Sequence, residues 1–156
     1  MIYYKLTNCM VGRLAKLAGF IKALEGIGFK FDVNRFNHRL KLQKYVYLAR
    51  RYGFDLGYHY NLYIRGPYSP ELANDYYALK EDMPKEHVDL PEDFFRLVKG
   101  KSERWLELAA TLVMIKERYP DISEEEMINL VIGNKPFANI EELKGILAKL
   151  KKHHAI

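Results

Sequence analysis

Arg65-Gly66-Pro67-Tyr68-Ser69-Pro70-Glu71 brings a guanidinium, a tight turn and a helix start into one short segment. Glycine permits unusual backbone angles and the two prolines fix φ on either side of an aromatic, so the chain must turn there. Ser69 is placed to cap a helix and Pro70 suits its first position. Glu71 lies in the first turn, where the helix dipole favours an anion. Arg65 beside such a helix start offers N–H donors and positive potential, chemistry suited to a phosphate or a partner carboxylate. A competing reading pairs Arg65 internally with Glu71 or Asp75 and leaves Pro67 and Tyr68 only to lock the corner.

Catalytic chemistry has little else to draw on. His38, His59 and His87 are scattered, and His153 and His154 fall on a tail expected to fray. No HExxH, CxxC or paired-acid spacing brings ligands to one helical face, so no metal site is expected. There is no phosphate-binding glycine loop, and Gly26-Ile27-Gly28 reads as a helix end. Ser69 lacks a neighbouring base and Cys9 an activator, which favours a capping serine and a packed thiol over nucleophiles. No catalytic residue and no cofactor is therefore assigned.

Contact chemistry is better represented. Of 12 tyrosines, eight (Tyr45, Tyr47, Tyr52, Tyr58, Tyr60, Tyr63, Tyr68 and Tyr76) fall between residues 45 and 76. Tyrosine combines a large apolar face with a polar tip and few rotamers to lose, which suits protein interfaces, and its ring can stack on bases. Tyr47, Tyr63 and Tyr77 fall off the apolar faces of their segments and are expected outside. Arg39, Lys41, Lys44, Arg50 and Arg51 share one helix with some of these tyrosines and are the candidate nucleic-acid contacts.

The elements that must position these groups follow from periodicity. Leu42, Tyr45, Leu48, Ala49 and Tyr52 recur at helical steps, with Asn34 or Asn37 as cap and Gly53 as stop. From Tyr58 to Arg65 the pattern alternates, with Tyr58, Tyr60, Leu62 and Ile64 on one side of a strand. A helix then runs from Ser69 towards Leu79. Upstream, Asn8 can cap a helix through Ile27 that stops at Gly28, and Met1 to Leu6 reads as an edge strand or ordered arm. Downstream, residues 83–101 read as a loop with a short helix from Glu92 to Val98. Ser102 opens a strong helix to Tyr119, stopped by Pro120. Ser123 and Glu126 form a capping-box pattern for a helix ending at Gly133, and Asn139 opens a last helix to about Lys152. The sum is a mainly α domain spanning 1–156 with a small β-hairpin or short strand pair, a motif core at 36–80 and C-terminal helices over 102–152.

Lys41-Leu42-Gln43-Lys44-Tyr45-Val46-Tyr47-Leu48-Ala49 followed by Arg65-Gly66-Pro67-Tyr68-Ser69-Pro70-Glu71-Leu72 resembles the Panacea domain family, closest to its YwgA-like members. That family pairs a KLQKLxYxA helix with a strand and a GPxxxEL turn and helix, and this chain has Tyr45 where the family often has Leu. The resemblance covers residues 36–80 and implies a small helical interaction domain akin to toxin-neutralising antitoxins and SocA-like proteolytic adaptors. The expected partner is another protein, such as a toxin or a protease substrate, and the turn and tyrosine readings give Arg65, Gly66, Pro67, Tyr68, Ser69 and Glu71 with Tyr47 and Tyr63 as its candidate contacts.

Composition sets outer bounds. An apolar fraction of 49% with 29% charged residues is ordinary for a globular chain of 156 residues. The lone Cys9 excludes an intrachain disulfide and makes a reducing cytoplasm the simplest setting. No apolar run reaches membrane-spanning length and the N-terminus lacks a signal-peptide layout, so no membrane is expected. Charge is uneven: residues 1–79 carry 12 Lys/Arg against 5 Asp/Glu, whereas residues 80–156 carry 13 against 15. A basic front half attracts an acidic protein or nucleic acid, or is the solvated side of amphipathic helices. A winged-helix-like nucleic-acid binder, three helices and a strand pair, is the alternative to the interaction module.

Overall fold

The structure is a computed structural model that describes residues 2–156, and side chains from residue 12 onward. Its first helix, α1, runs Ile2–Leu24 and tightens into a 3-10 turn, Glu25–Ile27, that Gly28 closes in the left-handed conformation. The helix therefore begins before Asn8, which lies inside it, and residues 2–6 are helical rather than strand. The packing expected of the Cys9 thiol lies outside the described side chains.

Helix α2 spans Phe36–Ala49, with Arg35 at the N-cap position and no side-chain cap. Neither Asn34 nor Asn37 caps it. The reason is local: Asp32 already organises the entry, its Oδ1 accepting from Asn34 N and its carbonyl from Arg35 N, while Asp32 N donates to His38 Nδ1. A 3-10 turn over Arg50–Tyr52 and left-handed Gly53 end the segment where the sequence places a stop.

The alternating stretch forms less strand than its pattern suggests. β1 is Asn61–Tyr63 and pairs antiparallel with β2, Gly66–Tyr68, in the register Tyr63 to Gly66. Ile64 and Arg65 are thus the hairpin turn, and Gly66-Pro67-Tyr68, read from sequence as a turn, is its second strand. Gly66 absorbs the positive φ of +84° that closes the hairpin. A Cβ there would also come within 2.9 Å of Thr111 Oγ1 and 3.3 Å of the Glu107 carbonyl oxygen. Alternation ends at the turn, so Ile64 is 93% exposed and not on a buried face.

α3, Pro70–Ala78, starts where expected, with Ser69 Oγ accepting from Leu72 N and Pro70 in the first turn. α4 is Glu92–Val98, α5 Glu103–Arg118, α6 Glu124–Asn134 and α7 Ile140–Lys152. Ser102, Ser123 and Asn139 cap the last three through their side-chain oxygens. α6 continues one residue past Gly133. The protein is mainly α with a two-stranded antiparallel hairpin.

α5 sits at the centre. Its stretch from Leu106 to Ile115 is buried throughout, and α2, α6, α7 and β2 pack around it. The segment after α3 crosses α1 so closely that Glu86 N donates to the Ala15 carbonyl, and a Cβ on Gly19 would overlap the Glu86 carbonyl oxygen at 1.7 Å. Gly19→Ala gains about 1 kcal/mol of helix propensity, yet we expect a net loss of stability because the obstacle is backbone. Limited proteolysis of that variant should show new cleavage between residues 80 and 90; unchanged protection would mean that the crossing is not tight.

The C-terminal tail is docked rather than frayed, through His153 and Ala155, while the His154 side chain is exposed. Tyr52 Oη donates to the His153 carbonyl, Arg51 Nε donates to the Ala155 carbonyl, and His153 Nδ1 lies 3.2 Å from Asp93. Ala155 is fully buried.

Candidate functional site

The two halves of the motif meet in space, and α2 holds the hairpin through side chains that replace strand partners. Gln43 Nε2 donates to the Ser69 carbonyl and Gln43 Oε1 accepts from Ser69 N, each at 2.9 Å. One turn of side chain thus mimics a backbone pair. Lys44 Nζ donates to the Pro67 carbonyl at 2.5 Å, and from the far side Lys135 Nζ donates to the Ile64 carbonyl at 2.7 Å. Glu107 Oε2 lies 3.6 Å from Lys135, and all three charged side chains are buried. Burial pushes the Lys44 ammonium down to about 7, with Glu107 opposing that shift and Lys135 adding to it.

Lys44 is therefore a support of the hairpin and not a nucleic-acid contact. Tyr47 is likewise corrected: it is 1% exposed, with its ring edge-on to Tyr60 and its hydroxyl donating to Glu117 Oε2. Burial, then the Glu117 charge, drives its phenol pKa upward. Arg50 and Arg51 approach the same Glu117 carboxylate at 3.5 and 3.8 Å, so both are drawn to an internal partner. Gly66, Pro67 and Ser69 are buried and shape the site rather than present side chains to it. Lys41 stays partly exposed on α2.

Arg65 does not pair with Glu71 or Asp75. Arg13 of α1 takes that place, with Nε 2.8 Å from Asp75 Oδ2 and Nη1 3.9 Å from Glu71. Tyr58 Oη donates to the same Asp75 oxygen at 2.6 Å, and the Arg13 guanidinium lies over the Tyr58 ring. Glu71 also accepts from His59 N. This corner is a closed internal network.

Arg65 turns the other way, to the Phe36 ring, 5.5 Å from its centroid. Arg39 lies 5.8 Å from the same centroid and 5.9 Å from that of Tyr77, while its Nη1 donates to the Val33 carbonyl. Between α2, the hairpin tip and α3 opens a cleft of about 550 Å³, within the ordinary range for ligand sites. Phe36, Tyr63, Tyr68, Tyr76 and Tyr77 supply its aromatic walls, Ile64 its rim, and Lys44 with Gly66 part of its lining. Phe36, Tyr63 and Tyr77 are 58%, 48% and 60% exposed. Tyr63 stands edge-on to Tyr68. Among the described residues, no Asp or Glu lines the cleft. Among the described residues, the ion-paired arginines are Arg13, Arg50, Arg51, Arg96 and Arg104, and neither Arg39 nor Arg65 is one of them.

Arg39, Arg65, Tyr63 and Tyr68 are thus brought together, and Phe36, Ile64, Tyr76 and Tyr77 join them. Phe36 carried a signal in the sequence, since an aromatic at that position falls off the Leu42, Tyr45, Ala49 stripe. Tyr63 and Ile64 also border a second groove of about 430 Å³ against α5 and α6. Among the described residues, no group of three or more His, Cys, Asp or Glu could hold a metal, and no helix is long and apolar enough to cross a membrane. No family model, curated protein or solved structure matches this chain.

Proposed function

We propose that the protein is a non-enzymatic interaction module that binds a segment of another protein in the cleft between α2, the hairpin tip and α3. One observation carries the reading: exposed Phe36, Tyr63, Ile64 and Tyr77 surround two guanidiniums that no carboxylate neutralises among the described residues. Aromatic rings and arginine are the side chains that concentrate binding energy at protein interfaces, and an exposed apolar cluster of this kind marks such a surface. The resemblance to Panacea-type antitoxins and adaptors favours the same reading, with a toxin or a protease substrate as the kind of partner, and the lone cysteine suits a cytoplasmic one.

The nucleic-acid alternative draws less support, because its basic patch is not continuous. Lys44 is buried, Arg50 and Arg51 are tied to Glu117, and Arg13 is tied to Asp75. A phosphate-tracking surface needs such charges free and aligned.

Selection of a random displayed-peptide library on the native protein tests the reading. A Tyr77→Ala, Phe36→Ala double variant, checked for native circular dichroism, serves as comparison. We expect a recurrent sequence pattern on the native protein and a loss of at least about tenfold in affinity for it on the variant, as for removal of two interface anchors. No enrichment, or equal affinity for both proteins, would overturn the reading.

A further inference from the structure

Resting on that reading, we infer that the segment the cleft selects is acidic: a carboxylate of the partner seats between Arg39 and Arg65 while a neighbouring aromatic or aliphatic residue packs on Phe36 and Tyr77. The argument is charge complementarity in a confined space. Two guanidiniums lie 5.5 and 5.8 Å from the centroid of one phenyl ring, and among the described residues no acid lines the cleft. Like charges held near one another with no counter-ion raise the local potential, and a carboxylate relieves it. Arginine also presents donors in a fork that matches a carboxylate, which an ammonium does not.

The groups beneath add to the same sign. Lys44 in the lining and Lys135 beyond it are two buried cations against the single carboxylate of Glu107, leaving one positive charge in excess when both are protonated. Lys135 is the nearer to Glu107, and Lys44 borders the cleft. The titratable groups facing Lys44 are Glu107 from α5 and Lys135 from the loop after α6. Arg39 of α2, Arg65 of the hairpin and the phenols of Tyr63, Tyr68, Tyr76 and Tyr77 share the cleft it borders.

A bound carboxylate stabilises the ammonium form of Lys44, so the complex holds that proton more tightly than the free protein. Affinity is then greatest below about pH 7, where Lys44 titrates, and falls as pH rises through it. If the bound anion makes the ammonium tenfold harder to deprotonate, the fall amounts to about tenfold.

Fluorescence anisotropy with three labelled probes tests the inference: a short peptide of alternating Glu and Tyr, its Gln–Tyr counterpart, and a single-stranded thymidine oligonucleotide. The native protein should bind the Glu–Tyr peptide at least about tenfold more tightly than the Gln–Tyr peptide. Arg65→Glu and Arg39→Glu, each checked for native circular dichroism, should abolish that preference. The pH dependence should be present in the native protein and absent from Lys44→Met. Equal binding of the two peptides, binding of neither, or unchanged binding after Arg65→Glu would overturn the acidic selection. Tighter binding of the oligonucleotide, lost in the same variants, would overturn it in favour of phosphate. Because peptide display reads binding of any sequence, enrichment of uncharged peptides there would sink the acidic preference and leave the interaction module standing.

Discussion

Gln43→Ala destabilises the protein by roughly 1–3 kcal/mol, since it strands one buried backbone donor, and by a further contribution from the void it leaves. That donor is Ser69 N, bonded to the carboxamide at 2.9 Å and fully buried; Ser69 O loses the bond from Gln43 Nε2 but still accepts from Ala73 N at 3.1 Å. The effect spreads because Ser69 is also the N-cap of α3 and follows β2 directly, so releasing it loosens the cap and the hairpin together. Gln43→Met separates the causes: it restores most of the volume but none of the bonds, so it should recover only the part of the loss due to the void. Urea denaturation of the three proteins measures both. If Gln43→Met were within about 0.5 kcal/mol of native, the scatter of an unremarkable substitution, the carboxamide clamp would not be what holds the segment.

The stability of the native protein rises with pH between about 7 and about 9.5, and Lys44→Met removes that rise. In the unfolded chain the Lys44 amine keeps its proton to 10.5, whereas in the fold it gives it up at about 7, chiefly because it is buried. Over that interval the unfolded state binds more protons, so each step up in pH favours the fold. Below about 7 the cost of the buried ammonium is present in full. The gain is on the order of a few kcal/mol. Lys44→Met leaves the Pro67 carbonyl without its donor, which offsets the relief of losing the charge. The variant should therefore compare best with native protein at low pH and worst near pH 9. Above about 10 the slope reverses in both proteins, because burial holds the Tyr58 and Tyr60 phenols protonated in the fold while the unfolded chain releases those protons. Melting temperatures across the range supply the test, and a native protein with no slope between 7 and 9.5, or a Lys44→Met variant with the same slope, would show that the amine does not titrate there.

Capping residues wrote the boundaries of α3, α5, α6 and α7 into the sequence, since each cap uses a donor only three residues away. The same locality explains the stops at Gly28 and Gly53, where a left-handed residue ends a helix on its own. The failure at Asn34 and Asn37 is local too: Asp32 fixes the turn over Asn34 and Arg35, which makes Arg35 the N-cap residue and leaves Asn37 inside the helix. The link between the two motif halves was visible as a resemblance but not as a contact.

What the sequence determined by itself is the set of helices, the caps of α3, α5, α6 and α7 and the basic, tyrosine-rich character of the segment from Arg39 to Tyr77. All of these rest on interactions between near neighbours along the chain. What only the tertiary structure decided is which of those polar side chains are free. Arg13 reaches Asp75 across 62 residues and Tyr47 reaches Glu117 across 70, while Lys135 reaches the Ile64 carbonyl across 71. These pairings leave Arg39 and Arg65, out of a run of similar cations, facing a cleft. Charge and aromaticity are properties of residues, but exposure and neutralisation are properties of pairs, and a pair separated by most of the chain leaves no periodic trace in either member's neighbourhood.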